Sequence, residues 1–235
     1  MKINKDDVIS IILARGGSQG LKNKNLRKLN GKPLIYYPIN AAIKSKNVGH
    51  VIISTDSRKI ASVAKKFGAK VPFIRPKKLS GPLSTTEKTL QHALSHYEKL
   101  IKKKFKICVF ITATDIFRKN FWIDKCVEYL YKNKKIDSAF FGYKTSKNYW
   151  ELKNGKWKRL KKWMKVYSSR QIRKTIVRED TGLACASRSE LWRKGRRIGD
   201  NVKIFTNEDS FSHIDIHTLE DLKLANFAKK IRKNK

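Results

Sequence analysis

A glycine-rich segment with three cations follows directly after an apolar run near the start of the chain. Residues 11–26 read IILARGGSQGLKNKNL, and Arg15, Lys22 and Lys24 lie within ten residues of one another. Backbone N–H groups of a glycine-rich turn can converge on an anion, while arginine offers a bidentate fork and lysine a point charge. The segment therefore predicts a phosphate-binding turn, with an ordinary flexible turn as the alternative.

Two familiar phosphate-binding loops can be compared with this segment. A Walker loop places Gly-Lys-Ser/Thr after four spacer residues, and the dinucleotide fingerprint reads G-x-G-x-x-G. The segment matches neither pattern. Its position after an apolar run, together with its three cations, favours a triphosphate as the ligand.

Strands and helices that would position this turn alternate along the chain. The predicted strands are residues 8–14, 51–55, 71–74, 107–112 and 138–143. The predicted helices are residues 34–47, 57–67, 85–103 and 122–133. Such alternation predicts an α/β fold with a parallel sheet covered on both faces and a ligand crevice at the carboxyl ends of the strands.

The pattern loosens after the fifth predicted strand. Residues 144–176 are rich in tryptophan and lysine, and we interpret them as an excursion from a single domain of residues 1–235. The last predicted elements are residues 183–192, residues 202–205 and a closing helix at 217–233. Thr218 and Asp221 at the start of that helix resemble a capping box.

The chain is strongly basic. It has 55 lysines and arginines against 19 acidic residues, a formal net charge of +36, and 40% hydrophobic residues, enough for a core. The lysines occur in pairs and triples along the whole chain, with no single basic stripe, which favours solvated helix faces that also attract small anionic substrates. We therefore expect no specific nucleic-acid partner.

The cysteines and the apolar segments bear on the compartment. Cys108, Cys126 and Cys185 are widely spaced and odd in number, which argues against a disulfide framework or a CxxC metal site. No apolar stretch approaches the roughly 18 residues of a membrane span, and the first ten residues lack a signal-peptide core. We expect a soluble cytoplasmic protein with no membrane partner.

Six segments, in order along nearly the whole chain, resemble the CMP-sugar synthetases, the acylneuraminate cytidylyltransferases. They are ARGGSQGLKNKNLRKLNGKPLIYYPINAAIKS, VIISTDSRKIASVAKKFGAKVPFIRPKKLS, STTEKTLQHAL, FITATDIFRK, SRQIRKTIVRED and HIDIHTLEDLKLAN. The fourth occupies the family's Q-P-T-S-P-L-R position and keeps Thr114 and Arg118. The resemblance implies a Rossmann-like nucleotide-diphospho-sugar transferase fold, with a mixed, mainly parallel sheet, helices on both faces and a dimerisation excursion at 144–176.

The resemblance also implies a reaction. In that family the anomeric hydroxyl of an eight- or nine-carbon keto-sugar acid attacks the α-phosphate of CTP, and pyrophosphate leaves. We therefore expect a cytidylyltransferase that supplies a CMP-sugar for surface glycans, works with Mg²⁺ or Mn²⁺, and forms a homodimer. Mg²⁺ prefers oxygen ligands and keeps several waters, so one or two carboxylates suffice to hold it.

Individual residues take roles from the family motifs they match. The implied catalytic residues are Arg15, Lys24 and Asp215. The implied nucleotide contacts are Ala14, Arg15, Gly16, Gly17, Ser18, Lys24, Asn25, Arg75 and Thr85, with Ser84 as the alternative to Thr85. The implied sugar contacts are Thr112, Thr114, Arg170, Gln171, Arg178 and His217. The implied metal ligands are Asp215 and Asp115. For Asp56, a structural role in the turn is as favoured as a nucleotide contact.

Two departures from the family pattern concern the phosphate and metal sites. Gln19 stands where a loop lysine is expected, so Lys22 or Lys24 would carry more of the phosphate charge. His217 replaces the second aspartate of D-I-D. Because imidazole is a poor Mg²⁺ ligand, hydrogen bonding is its favoured role.

A third departure concerns the sugar. Thr112 and Ala113 stand where the sialate enzymes have Gln-Pro, and this is nearer the pattern of the pseudaminate enzymes. The substrate therefore stays open among sialic, pseudaminic, legionaminic and Kdo-type acids. A catalytically degenerate nucleotide-binding protein is the alternative from another class.

Overall fold

The computed structural model describes residues 3–169 and 171–233. The strands are β1 (Val8–Leu13), β2 (Lys28–Leu29), β3 (Lys32–Pro33), β4 (His50–Ser54), β5 (Ile107–Phe110), β6 (Ser138–Thr145), β7 (Trp150–Lys153), β8 (Lys156–Arg159), β9 (Ile176–Glu179), β10 (Cys185–Arg188) and β11 (Val202–Asn207). The α-helices are α1 (Tyr36–Ile43), α2 (Arg58–Lys66), α3 (Thr86–Ile101), α4 (Phe121–Lys132), α5 (Ser189–Arg193) and α6 (Leu219–Lys233).

One central sheet has the strand order β11-β6-β10-β5-β1-β4, and β9 also pairs with β6. β1 pairs in parallel with β4 and β5, and β11 pairs in parallel with β6, whereas β10 runs antiparallel between β5 and β6. The sheet is thus mixed and mainly parallel, which confirms the predicted fold class. The carboxyl ends of β1, β4 and β5 lie at one edge, where the glycine-rich turn begins.

Alternation along β1 explains why the sheet is covered on both faces. Val8 and Ile12 belong to the core beneath α1, α2 and α4, whereas Ile9 and Ile11 belong to the core beneath α3 and α5. Each strand residue alternates between faces, so a continuous apolar run is buried on both sides. A third core packs α6 against the segment that follows β1.

The predicted strand at 71–74 is wrong. This segment contains no strand: Lys70, just before it, forms an isolated bridge to Ile52 of β4, and Ile74 forms one to Thr55, just after β4. Pro72 has no N–H to donate to a strand ladder, so pairing cannot run through the segment. The structure also adds an unpredicted hairpin, β2–β3, whose turn residues Asn30 and Gly31 have φ angles of 49° and 75°.

The capping box predicted for the last helix is present. Thr218 Oγ1 accepts from the Asp221 backbone N–H at 3.2 Å, and the Asp221 carboxylate accepts from the Thr218 N–H at 2.8 Å. The same carboxylate accepts from the His217 N–H at 2.8 Å. The start of α6 therefore fixes the segment before it, which reaches the cleft described below. No helix among the described residues combines the length and the apolar character needed to cross a membrane.

A buried ion pair joins α3 to α5. The Glu98 side chain is 1% exposed, and its carboxylate accepts from Arg193 at 2.6 Å and from the Phe105 backbone N–H at 2.9 Å. We expect Arg193→Ala to lower the free energy of unfolding by about 3 kcal/mol, because it leaves a buried charge poorly paired. Chemical denaturation measures this change.

The exposed pair of Arg196 with Asp200 provides the control. Arg196→Ala should cost at most about 0.5 kcal/mol, since exposed ion pairs contribute little. Equal losses in the two variants would contradict the role assigned to Arg193.

Candidate active site

A cleft of about 500 Å³ opens at the carboxyl ends of β1 and β5. Among the predicted site residues, those that line it are Arg15, Ser18, Lys24, Asn25, Arg75, Thr112, Thr114 and His217. These residues come from four separate parts of the chain and meet because their strands end at the same edge of the sheet. The cleft lies where ligands bind in open α/β sheets.

Hydrogen bonds hold the turn after β1 in place. The Gly16 N–H donates to Asp56 Oδ1 at 2.8 Å, and Asn25 Nδ2 donates to the Arg15 carbonyl at 3.0 Å. Arg15 Nη1 lies 3.4 Å from the Gly81 carbonyl across the cleft. Asp56 and Asn25 therefore both support the turn that carries Arg15.

Gly20 brings this turn against the segment before α6. A Cβ at Gly20 would lie 2.8 Å from the His217 carbonyl oxygen, so a side chain there would force the two segments apart. The close contact places Lys24 and His217 in the same cleft.

Lys24, not Lys22, is the lysine of the cleft. Lys22 is exposed and lies outside the cleft lining, whereas Lys24 is partly buried within it. Burial lowers the pKa of Lys24, the charges of Asp215 and Asp115 oppose this shift, and Arg15 adds to it. Lys24 thus lines the cleft together with a second cation, Arg15.

Arg75 brings unpaired donors to the cleft wall. It is 5% exposed, and its Nε and Nη2 have no hydrogen-bond partner among the described residues. Its nearest anion is Asp56, with Nη2 3.8 Å from Oδ1. Burial lowers the pKa of Arg75, and Asp56 opposes that shift. Buried donors without partners are rare in folded proteins, and they suit a polar ligand that enters the cleft.

Asp115 and Asp215 lie outside the cleft lining, and each bonds to a residue that forms it. Asp115 accepts a hydrogen bond from the Thr112 hydroxyl, and Thr112 Oγ1 lies 3.1 Å from Thr114 Oγ1. Burial, and then the charge of Asp215, raise the pKa of Asp115 to about 6. His217 Nε2 lies 2.9 Å from Asp215 Oδ2, so the two side chains share one side of their segment.

This donor set fits a hard divalent cation. Asp115 and Asp215 supply anionic oxygens, which Mg²⁺ and Mn²⁺ prefer. Within the described residues, no group of three or more His, Cys, Asp and Glu side chains forms a ready-made metal cage. A cation held here would take its remaining ligands from water and phosphate, as Mg²⁺ commonly does.

Several predicted residues lie outside the cleft lining. Ala14 is buried and donates its N–H to the Ser54 carbonyl at 3.0 Å, while Gly16 and Gly17 form the turn itself. Thr85 caps α3 by accepting from the Lys88 N–H, and its neighbours Ser84 and Thr86 line the cleft instead.

The predicted sugar-side residues are dispersed. Arg178 lies on β9 and pairs with Asp180, and Gln171 is exposed in a turn. Arg170 lies outside the described residues. Arg118, retained from the family pattern, is buried and donates to the Thr112, Gly182 and Leu183 carbonyls, so it supports the loop that carries Asp115.

Sequence reasoning missed residues that the structure brings to the site. Thr86 and Thr89 line the cleft from the first turn of α3. Threonine is a preferred N-cap residue, so Thr85 could have been recognised as the cap of α3. The predicted nucleotide contact would then have moved from Thr85 to the residues that follow. Asp180 was also missed, although its spacing of two from Arg178 places both side chains on one face of an extended segment.

Comparisons with known proteins agree with this geometry. A family model described as cytidylyltransferase matches residues 9–230. Over 226 residues the chain is 27% identical to a pseudaminic acid cytidylyltransferase of Campylobacter jejuni, covering 95% of this chain and 96% of that protein. Over 108 residues it is 41% identical to a CMP-N,N'-diacetyllegionaminic acid synthase of Campylobacter jejuni, covering 46% of each.

The fold has a counterpart among solved structures. A CMP:2-keto-3-deoxy-manno-octonic acid synthetase complexed with CTP superposes with a TM-score of 0.70 at 14% identity, covering 96% of this chain and 99% of that one. The resemblance predicted from the sequence is thereby confirmed at the level of fold and family. Because the family model spans nearly the whole chain, the protein belongs to the cytidylyltransferase family of enzymes.

Proposed function

We propose that the protein transfers CMP from CTP to the anomeric hydroxyl of a sialic-acid-like keto-sugar acid. The hydroxyl oxygen attacks the α-phosphorus, the bond from that phosphorus to the pyrophosphate oxygen breaks, and the hydroxyl proton passes to solvent. The observation that carries this proposal is the cleft lining, which brings Arg15 and Lys24 together with Thr112 and His217, the residues that bond to Asp115 and Asp215. Cations can hold a triphosphate in line while carboxylates hold its counter-ion.

The residues in and beside the cleft would have different roles in this reaction. Arg15 and Lys24 would hold the phosphates that leave as pyrophosphate, and the donors of Arg75 would meet the nucleotide. Asp115 and Asp215 would hold Mg²⁺ or Mn²⁺, which supplies neutralisation of the charge on the leaving group. The Thr112 hydroxyl fixes the Asp115 carboxylate in this place.

The names of the similar proteins support the proposed class of sugar substrate. Two are named for pseudaminic and diacetyllegionaminic acids, and the structural neighbour is named for an octonic acid with a 2-keto group. All three are sugar acids with a keto group beside the carboxylate. Arg178, a half-exposed cation at the end of β9, suits the carboxylate that these substrates share.

The test is pyrophosphate release from CTP and Mg²⁺ with sialic, legionaminic, pseudaminic and Kdo acids in turn, with the product mass measured. We expect one acid to give pyrophosphate and the CMP-sugar in equal amounts, and UTP to serve as the control nucleotide. If calorimetry shows CTP binding but no acid in the panel yields pyrophosphate, the protein is a nucleotide-binding protein without turnover.

We also propose that the protein is a homodimer joined through the excursion at 144–176. The register of β7 and β8 places Trp150, Leu152 and Trp157 on one face of the hairpin, and Trp157 is 66% exposed. The Arg159 guanidinium lies 4.2 Å from the Trp150 ring on that face. Aromatic and arginine side chains are enriched at interface cores.

Sedimentation velocity at micromolar concentration checks the dimer. We expect a species of twice the 27.3 kDa chain mass, and Trp157→Glu is expected to shift it to the monomer. Lys156→Glu is the control, because Lys156 pairs with Lys153 on the other face of the hairpin. A parent protein that sediments only at 27.3 kDa would overturn the proposal.

A further inference from the structure

Arg178 and Asp180 form an ion pair at the end of β9. Arg178 Nε donates to Asp180 Oδ1 at 2.6 Å. The Asp180 side chain is 9% exposed, whereas the Arg178 side chain is 49% exposed. The pair therefore combines a buried anion with a cation that reaches solvent.

The turn that carries Asp180 is fastened to the loop that carries Asp115. The Gly182 carbonyl accepts from the Thr112 N–H at 3.0 Å and from Arg118 Nη2 at 2.8 Å. A Cβ at Gly182 would lie 2.8 Å from Thr112 Oγ1 and would overlap the Asp115 carboxylate, so the two segments touch. Asp180 therefore lies at a fixed position near the loop that carries Asp115.

The hydrogen bonds between Arg178 and Asp180 differ from those of an arginine–carboxylate pair with a purely structural role. A structural arginine–carboxylate pair commonly uses both oxygens and two guanidinium nitrogens. Here Asp180 Oδ2 is buried and has no hydrogen-bond partner among the described residues. Arg178 uses only Nε toward Asp180, and no hydrogen bond joins its terminal nitrogens to a described residue. Its two terminal nitrogens form the fork that pairs best with a carboxylate.

We propose that Asp180 is a positioning residue that holds Arg178 with its terminal nitrogens available to the carboxylate of the sugar acid. Asp180 would thereby set the preference of the enzyme for an acidic sugar over a neutral one. This inference rests on the proposed function, and it assigns to Asp180 an effect on the sugar substrate but not on CTP. Its effect must pass through Arg178.

A double-mutant cycle tests this dependence. Asp180→Ala is expected to raise the KM for the sugar acid about tenfold, the size of one lost charge-assisted contact, with the KM for CTP changed less than about twofold. Asp180→Asn should recover part of the loss, because its carbonyl oxygen can still accept from Arg178 Nε. Adding Asp180→Ala to Arg178→Ala should change nothing further, since the arginine is already absent.

Two further measurements keep the inference testable. Asp200→Ala, in the exposed Arg196–Asp200 pair, is the matched control and should leave every constant unchanged. Calorimetric binding of the acid in the presence of CTP should show the same tenfold loss for Asp180→Ala, and this applies even where turnover is too slow to measure.

The outcomes separate the two proposals. Additive losses in the double variant, or an equal rise in the KM for CTP, would show that Asp180 acts on the site as a whole and would overturn the inference. A parent enzyme that turns over an acid, beside an Asp180→Ala variant with unchanged constants, would overturn the inference alone. A parent that neither binds nor activates any acid would overturn both.

Discussion

Asp215→Asn is expected to lower kcat/KM about a thousandfold, a loss of about 4 kcal/mol in transition-state stabilisation. Asp215 adjoins the cleft residue His217, whose Nε2 lies 2.9 Å from Asp215 Oδ2, and this leaves Oδ1 for a cation. Asparagine keeps the shape of the side chain but removes the charge. The expected loss should therefore appear in turnover and in metal binding, with little change in the melting temperature.

The measurement is an initial-rate titration with Mg²⁺ and Mn²⁺, together with Mn²⁺ binding followed by electron paramagnetic resonance in the presence of CTP. Asp200→Asn is the control, since Asp200 is an exposed surface residue. An Asp215→Asn protein with the parent's Mg²⁺ dependence would move the metal site to Asp115.

The same titration tests the neighbouring histidine. His217→Asp is expected to retain activity and to shift the preference from Mn²⁺ toward Mg²⁺, because imidazole tolerates Mn²⁺ better than Mg²⁺. A preference unchanged from the parent would limit His217 to its hydrogen bond with Asp215.

Arg15→Ala is expected to cost about 2–4 kcal/mol in the barrier to turnover, or roughly 30- to 1,000-fold in kcat. Arg15 lines the cleft directly after β1, and its position is set by the Asn25 side chain and the Gly81 carbonyl. A guanidinium there can pair with phosphate oxygens as charge builds on the leaving pyrophosphate. The side chain is not part of a core, so folding should be little affected.

Steady-state rates at saturating CTP, read beside thermal unfolding, measure this effect. Arg27→Ala is the matched control, because the exposed Arg27 side chain lies outside the cleft lining and donates to the nearby Lys22 carbonyl. If Arg15→Ala keeps near-parent activity, the phosphate-binding role of the turn is misassigned.

Local patterns were sufficient for most elements of the fold. Apolar, β-branched runs predicted β1, β4 and β5, and helical spacing predicted α2, α3 and α4 to within a few residues. These elements form because each buries an apolar face that its own spacing creates. The segment at 71–74 failed because Pro72 removes a donor, and that effect outweighs its apolar composition.

The site was predictable in its residue types but not in all of its positions. The turn of Arg15, with Lys24 and Asn25, follows from its place after β1. The choice between Lys22 and Lys24 depends on how the turn packs against His217, which no local pattern contains. Likewise, Thr85 was favoured over Ser84 as the nucleotide contact, whereas in the structure Thr85 caps α3 and Ser84 and Thr86 line the cleft.

By itself the sequence determined the family and the α/β class, because these depend on residue types at short spacing. Only the tertiary structure decided that Thr112 and His217, which bond to Asp115 and Asp215, meet in the same cleft although they are about one hundred positions apart. It also decided that β10 enters the sheet antiparallel and that Asp180 anchors Arg178 beside Asp115. Such contacts depend on which strands pair and how their loops pack, and long-range packing leaves no periodic signal in the chain.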